Sequence, residues 1–241
     1  MSTTTSPRFR PAALTDLGPV AQVRAGRLAR RLPQLYLGLV LYGVSLAMMV
    51  RAELGLAPWD VLHSGLARFL PLSLGEVIVV MSFVVLVLWI PLREMPGLGT
   101  VSNAIVVGLA ADATLAVLTT PDALWLRVTL LVLGIIGNGL ATALYIGSQF
   151  GRGPRDGLMT GLARRTGWSL RLVRTGLEVT VVVLGLLLGG VVGLGTVLYA
   201  LLIGPLAQLM LPWFTVALDA PAAPRRRDAG RLPPPGDRRA A

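Results

Sequence analysis

Long apolar runs govern what this chain can become. Six stretches, approximately Leu35–Val50, Val77–Ile90, Thr100–Leu118, Leu126–Phe150, Leu172–Leu188 and Leu194–Leu211, carry little charge. A helix needs about 20 mostly apolar residues to cross roughly 30 Å of hydrocarbon. Inside lipid its backbone groups must also be satisfied within the element itself. The runs predict an all-α polytopic membrane protein with about six transmembrane helices. The second and fifth runs are short, and the fifth carries Glu178. An Arg-rich stretch precedes the first run and no small-residue cleavage site follows it, so it reads as a span and not as a signal peptide.

Charge sets the orientation. The chain has a formal net charge of +10, yet only 14% of its residues are charged. Soluble domains average about 25%. In a soluble chain such basicity would suggest nucleic acid. Here the apolar runs leave no folded polar face for it, so the expected partner is the lipid bilayer and no nucleic acid. With six spans, all 22 cationic residues except Arg51, Arg68 and Arg127 fall on one side. Positive residues accumulate on the cytoplasmic side. The expectation is a multi-pass protein of the bacterial plasma membrane with both termini cytoplasmic. The absence of Cys excludes disulfides, and a single His, His63, argues against a His-cluster metal site. No metal or cofactor is expected.

Residues 1–33 read as a basic cytoplasmic tail. Residues 215–241 read as a disordered cytoplasmic tail, rich in Pro and Arg and lacking periodicity. Arg24, Arg27, Arg30 and Arg31 recur at helical spacing before the first span. An interfacial helix on anionic lipid is one account, and an ordinary juxtamembrane positive cluster is the favoured one.

The membrane region repeats itself. One constant register shift pairs Gly38 and Gly43 with Gly134 and Gly139, and Gly55, Pro58 and Asp60 with Gly151, Pro154 and Asp156. It also pairs Gly65-Leu66-Ala67-Arg68 with Gly161-Leu162-Ala163-Arg164, and Gly97-Leu98-Gly99-Thr100-Val101 with Gly193-Leu194-Gly195-Thr196-Val197. Residues 34–119 and 120–214 thus form two repeats of three spans. An odd number of spans means that the second copy enters from the opposite side, so the repeats are expected to be inverted. Arg placement agrees. Leu56, Trp59, Phe69, Gly75 and Ile78 in the first repeat correspond to Arg152, Arg155, Arg165, Arg171 and Arg174 in the second. The same loop is depleted of Arg outside and loaded with it inside.

Between the first two spans of each repeat lies a short segment, 57–70 and 153–166. Pro58 and Pro154 sit where a first helical turn begins, with Asp60 and Asp156 inside that turn, a helix-start pattern. Leu62, Leu66 and Phe69 share one face. Each segment reads as a short amphipathic or re-entrant helix of about three turns, too short to span. Paired short, Gly/Pro-interrupted segments point to a transporter's binding site. Asp60 and Asp156 are therefore candidates for the substrate path, against the plainer reading that each satisfies backbone N–H groups at a helix start.

Other polar residues lie within the spans. Asp112 is in the third, and its repeat equivalent is Gln208. An intramembrane carboxylate marks a function or a partner. Asp112 is read either as a coupling-ion site or as an interhelical hydrogen bond. Glu178 lies one turn past Arg174 and is most simply half of an i,i+4 ion pair. Asn103 and Asn138 are expected to bond across helices, and Gly134, Gly137 and Gly139 to permit close helix contact. Gly204-Pro205 is expected to kink the last span.

The strings Gly55-Leu56-Ala57-Pro58-Trp59-Asp60-Val61-Leu62-His63, Pro96-Gly97-Leu98-Gly99-Thr100, Gly151-Arg152-Gly153-Pro154-Arg155-Asp156-Gly157-Leu158-Met159 and Leu201-Leu202-Ile203-Gly204-Pro205 resemble the YczE/YyaS/YitT-type integral membrane proteins of bacteria. The resemblance covers roughly residues 34–214. It implies a membrane location and assigns no catalytic residues. No nucleophile–base set, metal cluster or phosphate-cradling loop appears, so an enzyme is not expected. The expected function is a permease-like secondary transporter of an unknown small-molecule solute, with a cationic or proton-coupled one favoured by the intramembrane acids. The alternative is a non-transporting accessory or scaffold protein for a partner complex. The sequence is also compatible with a homodimer.

Overall fold

The structure is a computed structural model that describes Leu14 and residues 17–219. The far ends of both expected tails lie outside the described residues. Those residues form nine helices and no strand: α1 Pro19–Arg24, α2 Leu28–Ala52, α3 Pro58–Leu66, α4 Leu74–Leu92, α5 Leu98–Val117, α6 Leu124–Gly147, α7 Pro154–Thr166, α8 Leu170–Leu187 and α9 Leu194–Phe214. The protein is a polytopic helical membrane protein. Helices α2, α4, α5, α6 and α9 are long and apolar enough to cross a membrane. The expected fifth span is the exception. It forms α8, but Arg171, Arg174 and Glu178 in its first half make it too charged to qualify by composition. Its second half presents Val183, Leu184, Leu186 and Leu187 outward.

Helix α2 starts at Leu28, ahead of the expected start of the first span at Leu35, because Arg31 is not a surface charge. The fully buried Arg31 donates to the carbonyls of Ser148 and Gln149 beyond the end of α6, both at 2.8 Å, and to Gln22 and Gly26. Its guanidinium lies 4.1 Å from the centre of the Phe150 ring. A cation that satisfies several orphan carbonyls is worth burying. The chain after α9 is likewise tied down as far as Asp219. Val216 is fully buried and donates to the Gly147 carbonyl, and Asp219 pairs with Arg27 at 3.2 Å.

In lipid no hydrophobic effect pulls helices together, so close packing has to. Helices α2 and α6 form the largest contact. A Cβ on Gly38 of α2 would lie 2.8 Å from the Tyr145 backbone nitrogen. One on Gly134 of α6 would lie 2.7 Å from Met49 of α2. The two halves then repeat each other's contacts. Helix α2 packs on α5 and α6 on α9. Gly43 meets the Val107 carbonyl of α5, and its counterpart Gly139 meets Leu206 of α9.

The short helices cross over. Helix α3 packs on α8, and α7 packs on α4, so each short helix lies against the middle long helix of the other half. The loops before them do the same. The Leu54 carbonyl accepts from Gly195 N–H at 2.7 Å, and the Phe150 carbonyl accepts from Gly99 N–H at 2.8 Å. Each bond gives a partner to an orphan donor at a helix start. The turns into the short helices run through Gly55 at φ +116° and Gly151 at φ +109°, a region that only glycine adopts without strain. The repeated Gly-Leu-Ala-Arg strings end at matching places. Arg164 donates to the Leu92 carbonyl at the end of α4, and Arg68 lies beside Gly189 at the end of α8. Cations are favoured at helix C-termini.

Helix α3 is shorter than the expected segment and differs in character. Pro58 through His63 are all buried, so it is enclosed by protein and is not laid amphipathically on a surface. The helix stops at Leu66, so Phe69 leaves the Leu62 face and is 68% exposed.

Gly43→Leu drives a side chain into the α5 backbone and is expected to cost at least roughly 1–3 kcal/mol, the range for overpacking. The control Gly176→Leu has nothing within 4 Å to strike. Size-exclusion profiles of fluorescently tagged protein should show loss of the monodisperse peak for the first substitution only.

Candidate functional site

The crossover brings the first turns of α3 and α7 to one cavity of about 260 Å³. Ala57, Pro58 and Trp59 line it from α3 and its approach. Gly153, Pro154, Arg155 and Asp156 line it from α7. The long helices contribute Tyr42, Asn103, Tyr145, Arg174, Glu178, Tyr199 and Gln208. The cavity is therefore built by both halves.

Reciprocal packing fixes the two short helices. A Cβ on Gly157 of α7 would lie 1.9 Å from Trp89 of α4, and one on Gly185 of α8 would lie 2.6 Å from the Val61 carbonyl carbon of α3. By the repeat, Val61 corresponds to Gly157 and Trp89 to Gly185. The two glycines admit different groups: Gly157 admits the Trp89 indole against α7, and Gly185 admits the α3 backbone at Val61 and Leu62 against α8. Trp89 also donates from Nε1 to the Pro154 carbonyl at 3.0 Å, which holds the first turn of α7.

Arg155 is the central cation. Its guanidinium carbon lies 5.7 Å from the Tyr42 ring centre and 5.8 Å from that of Trp59, close enough for cation–π attraction. It donates to the Tyr42 hydroxyl at 3.4 Å. Among the described residues it enters no ion pair. The neighbouring acids have other partners. Asp156 accepts from the Tyr145 hydroxyl, and Glu178 pairs with Arg174 at 2.8 Å. Asp60 accepts from Nδ1 of His63 at 3.0 Å, with both groups buried. Burial pushes the His63 imidazole below its ordinary range, against the pull of Asp60. Across the site, Tyr199 donates to Asn138 at 2.9 Å.

The expected site residues therefore separate. Pro58, Pro154, Asp156, Glu178 and Gln208 meet at the cavity. Asp60 lies behind its wall, held by His63. Asp112 lies elsewhere. It accepts from Gly75 N–H at 2.8 Å and from the Ser73 hydroxyl at the start of α4, while Ser73 also forms a capping box with Glu76. Sequence reasoning overlooked Arg155, which counted only as a cytoplasmic loop charge. Its signal was its place in the repeat: the position next to the first-turn Asp holds Trp59 in one half and Arg155 in the other.

A cavity lined by charged and aromatic groups, among apolar helices of spanning length, defines an integral membrane protein with a polar site between its helices. The chain belongs to the family of unknown function DUF6198, whose model matches residues 29–212. It is 42% identical over 177 residues to an uncharacterised protein of Haemophilus influenzae, covering 73% of this chain and 81% of that protein. It is 30% identical over 203 residues to the uncharacterised membrane protein YczE of Bacillus subtilis, covering 83% and 94%. It is 27% identical to the uncharacterised protein YyaS of the same organism, covering 73% and 90%. No solved structure matches.

Gly157→Val should collide with Trp89 and reduce folded yield. The double substitution Gly157→Val with Trp89→Ala removes the ring that is struck and should restore part of that yield, read as the melting temperature of purified protein. No recovery would show that the clash with Trp89 is not the cause of the loss.

Proposed function

We propose that the protein is a permease-like secondary transporter of a small solute, built from two inverted repeats. The carrying observation is the cavity: two short helices, one from each half, start at it, and charged side chains line it. Helix starts and Gly/Pro breaks at a repeat interface are the usual construction of a transporter's binding site. The exchange of packing partners between halves supports a two-fold relation, and the opposite Arg content of equivalent loops supports inversion.

In this reading α8 crosses the membrane as the counterpart of α4. The Arg174–Glu178 pair reduces the cost of its charges, and α3 covers one side of it. Both termini then lie in the cytoplasm. The lining residues run from the start of α5 and α8 and the end of α6 to Tyr42 midway along α2 and Tyr199 near the start of α9, with both short helices contributing, which suits a site reached from the middle of the bundle. The acids still suit a coupling proton: the buried Asp60–His63 pair lies one turn from the cavity wall.

The chain has no Cys, so single cysteines report its topology directly. Phe69 and Trp168 are both exposed, at 68% and 60%. In intact cells an impermeant maleimide should label Phe69→Cys and not Trp168→Cys. The reverse pattern inverts the orientation, and equal labelling removes it.

Transport is tested by filling the cavity. Gly204 lines it, and a Cβ there meets nothing within 4 Å. Gly204→Phe should keep the melting temperature while reducing solute uptake by proteoliposomes to the level of empty liposomes. The solutes are a panel of small metabolites under an imposed proton gradient. If no solute enters through the unaltered protein and a stoichiometric partner co-purifies, the accessory reading replaces this one.

A further inference from the structure

The charges lining the cavity point to a solute more closely defined than the sequence suggests. Four charged side chains line it: Arg155, Asp156, Arg174 and Glu178. Arg174 and Glu178 neutralise each other at 2.8 Å. Arg155 and Asp156 remain, opposite in sign and adjacent on the first turn of α7. Neither has an ion-pair partner among the described residues. Arg155 rests on the faces of Tyr42 and Trp59, and its hydrogen bond to Tyr42 is a long one. Asp156 holds a single phenol hydroxyl. Asp60 does not reach the cavity.

We propose that the cavity binds a small zwitterion, its carboxylate held by the Arg155 guanidinium and its ammonium by the Asp156 carboxylate. The proposal rests on the transporter reading for its purpose and on the same cavity for its chemistry. A purely cationic solute would leave the Arg155 guanidinium with no carboxylate in hydrogen-bond contact, only the Asp60 and Asp156 charges at longer range, and a purely anionic one would leave the Asp156 carboxylate with no ammonium in contact. Either omission forgoes a charge-assisted contact, the stronger kind of hydrogen bond. A zwitterion answers both and adds no net charge to a site whose lining is already neutral. Guanidinium recognises carboxylate through a planar fork, which gives direction as well as attraction. The remaining lining is suited to an apolar body, with Ile146, Ile203 and Leu211 facing the same space. The cavity's volume, about 260 Å³, restricts the solute to a small molecule.

The test uses full-length purified protein and three matched probes at equal concentration: phenylalanine, 2-phenylethylamine and 3-phenylpropionate. The amine lacks the carboxylate, and the acid lacks the ammonium. Ligand that binds only the folded state raises the melting temperature. Phenylalanine should raise it, and each truncated probe should raise it less. Loss of one charge-assisted contact predicts about tenfold or more weaker binding. Arg155→Gln should abolish the preference for phenylalanine over the amine. Asp156→Asn should abolish the preference over the acid. If neither variant folds, the comparison of the three probes on the unaltered protein still decides.

Equal shifts by all three probes overturn the proposal, as does a larger shift by amine or acid, or no shift by any. Uptake of labelled phenylalanine into proteoliposomes separates this idea from the one beneath it. Selective binding without uptake keeps the zwitterion site and removes the transporter. Uptake of a solute that is not a zwitterion, without selective phenylalanine binding, keeps the transporter and removes the zwitterion.

Discussion

A helix start buried in protein hides N–H groups that must find partners within the fold, and this constraint organises the whole molecule. The chain meets it by exchange. The loop before each short helix passes its carbonyl to the first turn of the other half's last helix, from Leu54 to Gly195 and from Phe150 to Gly99. Once those bonds are made, α3 must lie on α8 and α7 on α4. The glycines at Gly55 and Gly151 follow from the sharp turn that the exchange demands.

The same exchange creates the cavity. Two first turns are brought together and held by close contacts at glycines, the Trp89 indole over Gly157 and the α3 backbone at Val61 and Leu62 over Gly185. Neither short helix can shift without opening a void or a clash at its partner, and cores resist both. The charges near the cavity are distributed accordingly. Those with a structural duty are paired, as in Arg174 with Glu178, Asp60 with His63 and Asp112 with the start of α4. Arg155 and Asp156 are left to face the open space.

The legible and the hidden parts of the site divide along a physical line. Features that local chemistry dictates could be read directly: apolar runs of spanning length, Pro followed by Asp at a helix start, and glycine where φ is positive. The Arg174–Glu178 pair was legible because its spacing is helical. Arg155 and Arg31 were not. Both belong to a positive-inside pattern, and nothing local distinguishes a charge facing lipid headgroups from one folded back over Phe150 or Trp59. Asp112 reads by sequence as either a coupling-ion site or an interhelical hydrogen bond; the structure shows it accepting from Gly75 and Ser73, though an acid within an apolar run does not say which distant residues will reach it.

Sequence alone therefore determined the membrane location, the helix boundaries to within a turn or two, the internal repeat and the two Pro-Asp elements. These depend on composition and on contacts within a few residues, which the chain carries wherever it folds. Only the tertiary structure decided that α3 is enclosed on all sides, that Asp60 retreats behind the cavity wall, and that Arg155 and Asp156 remain without ion-pair partners. Those outcomes depend on which distant carbonyl, ring or carboxylate comes within about 3–6 Å, the range of hydrogen-bond and cation–π contacts. Packing between the two halves sets those distances.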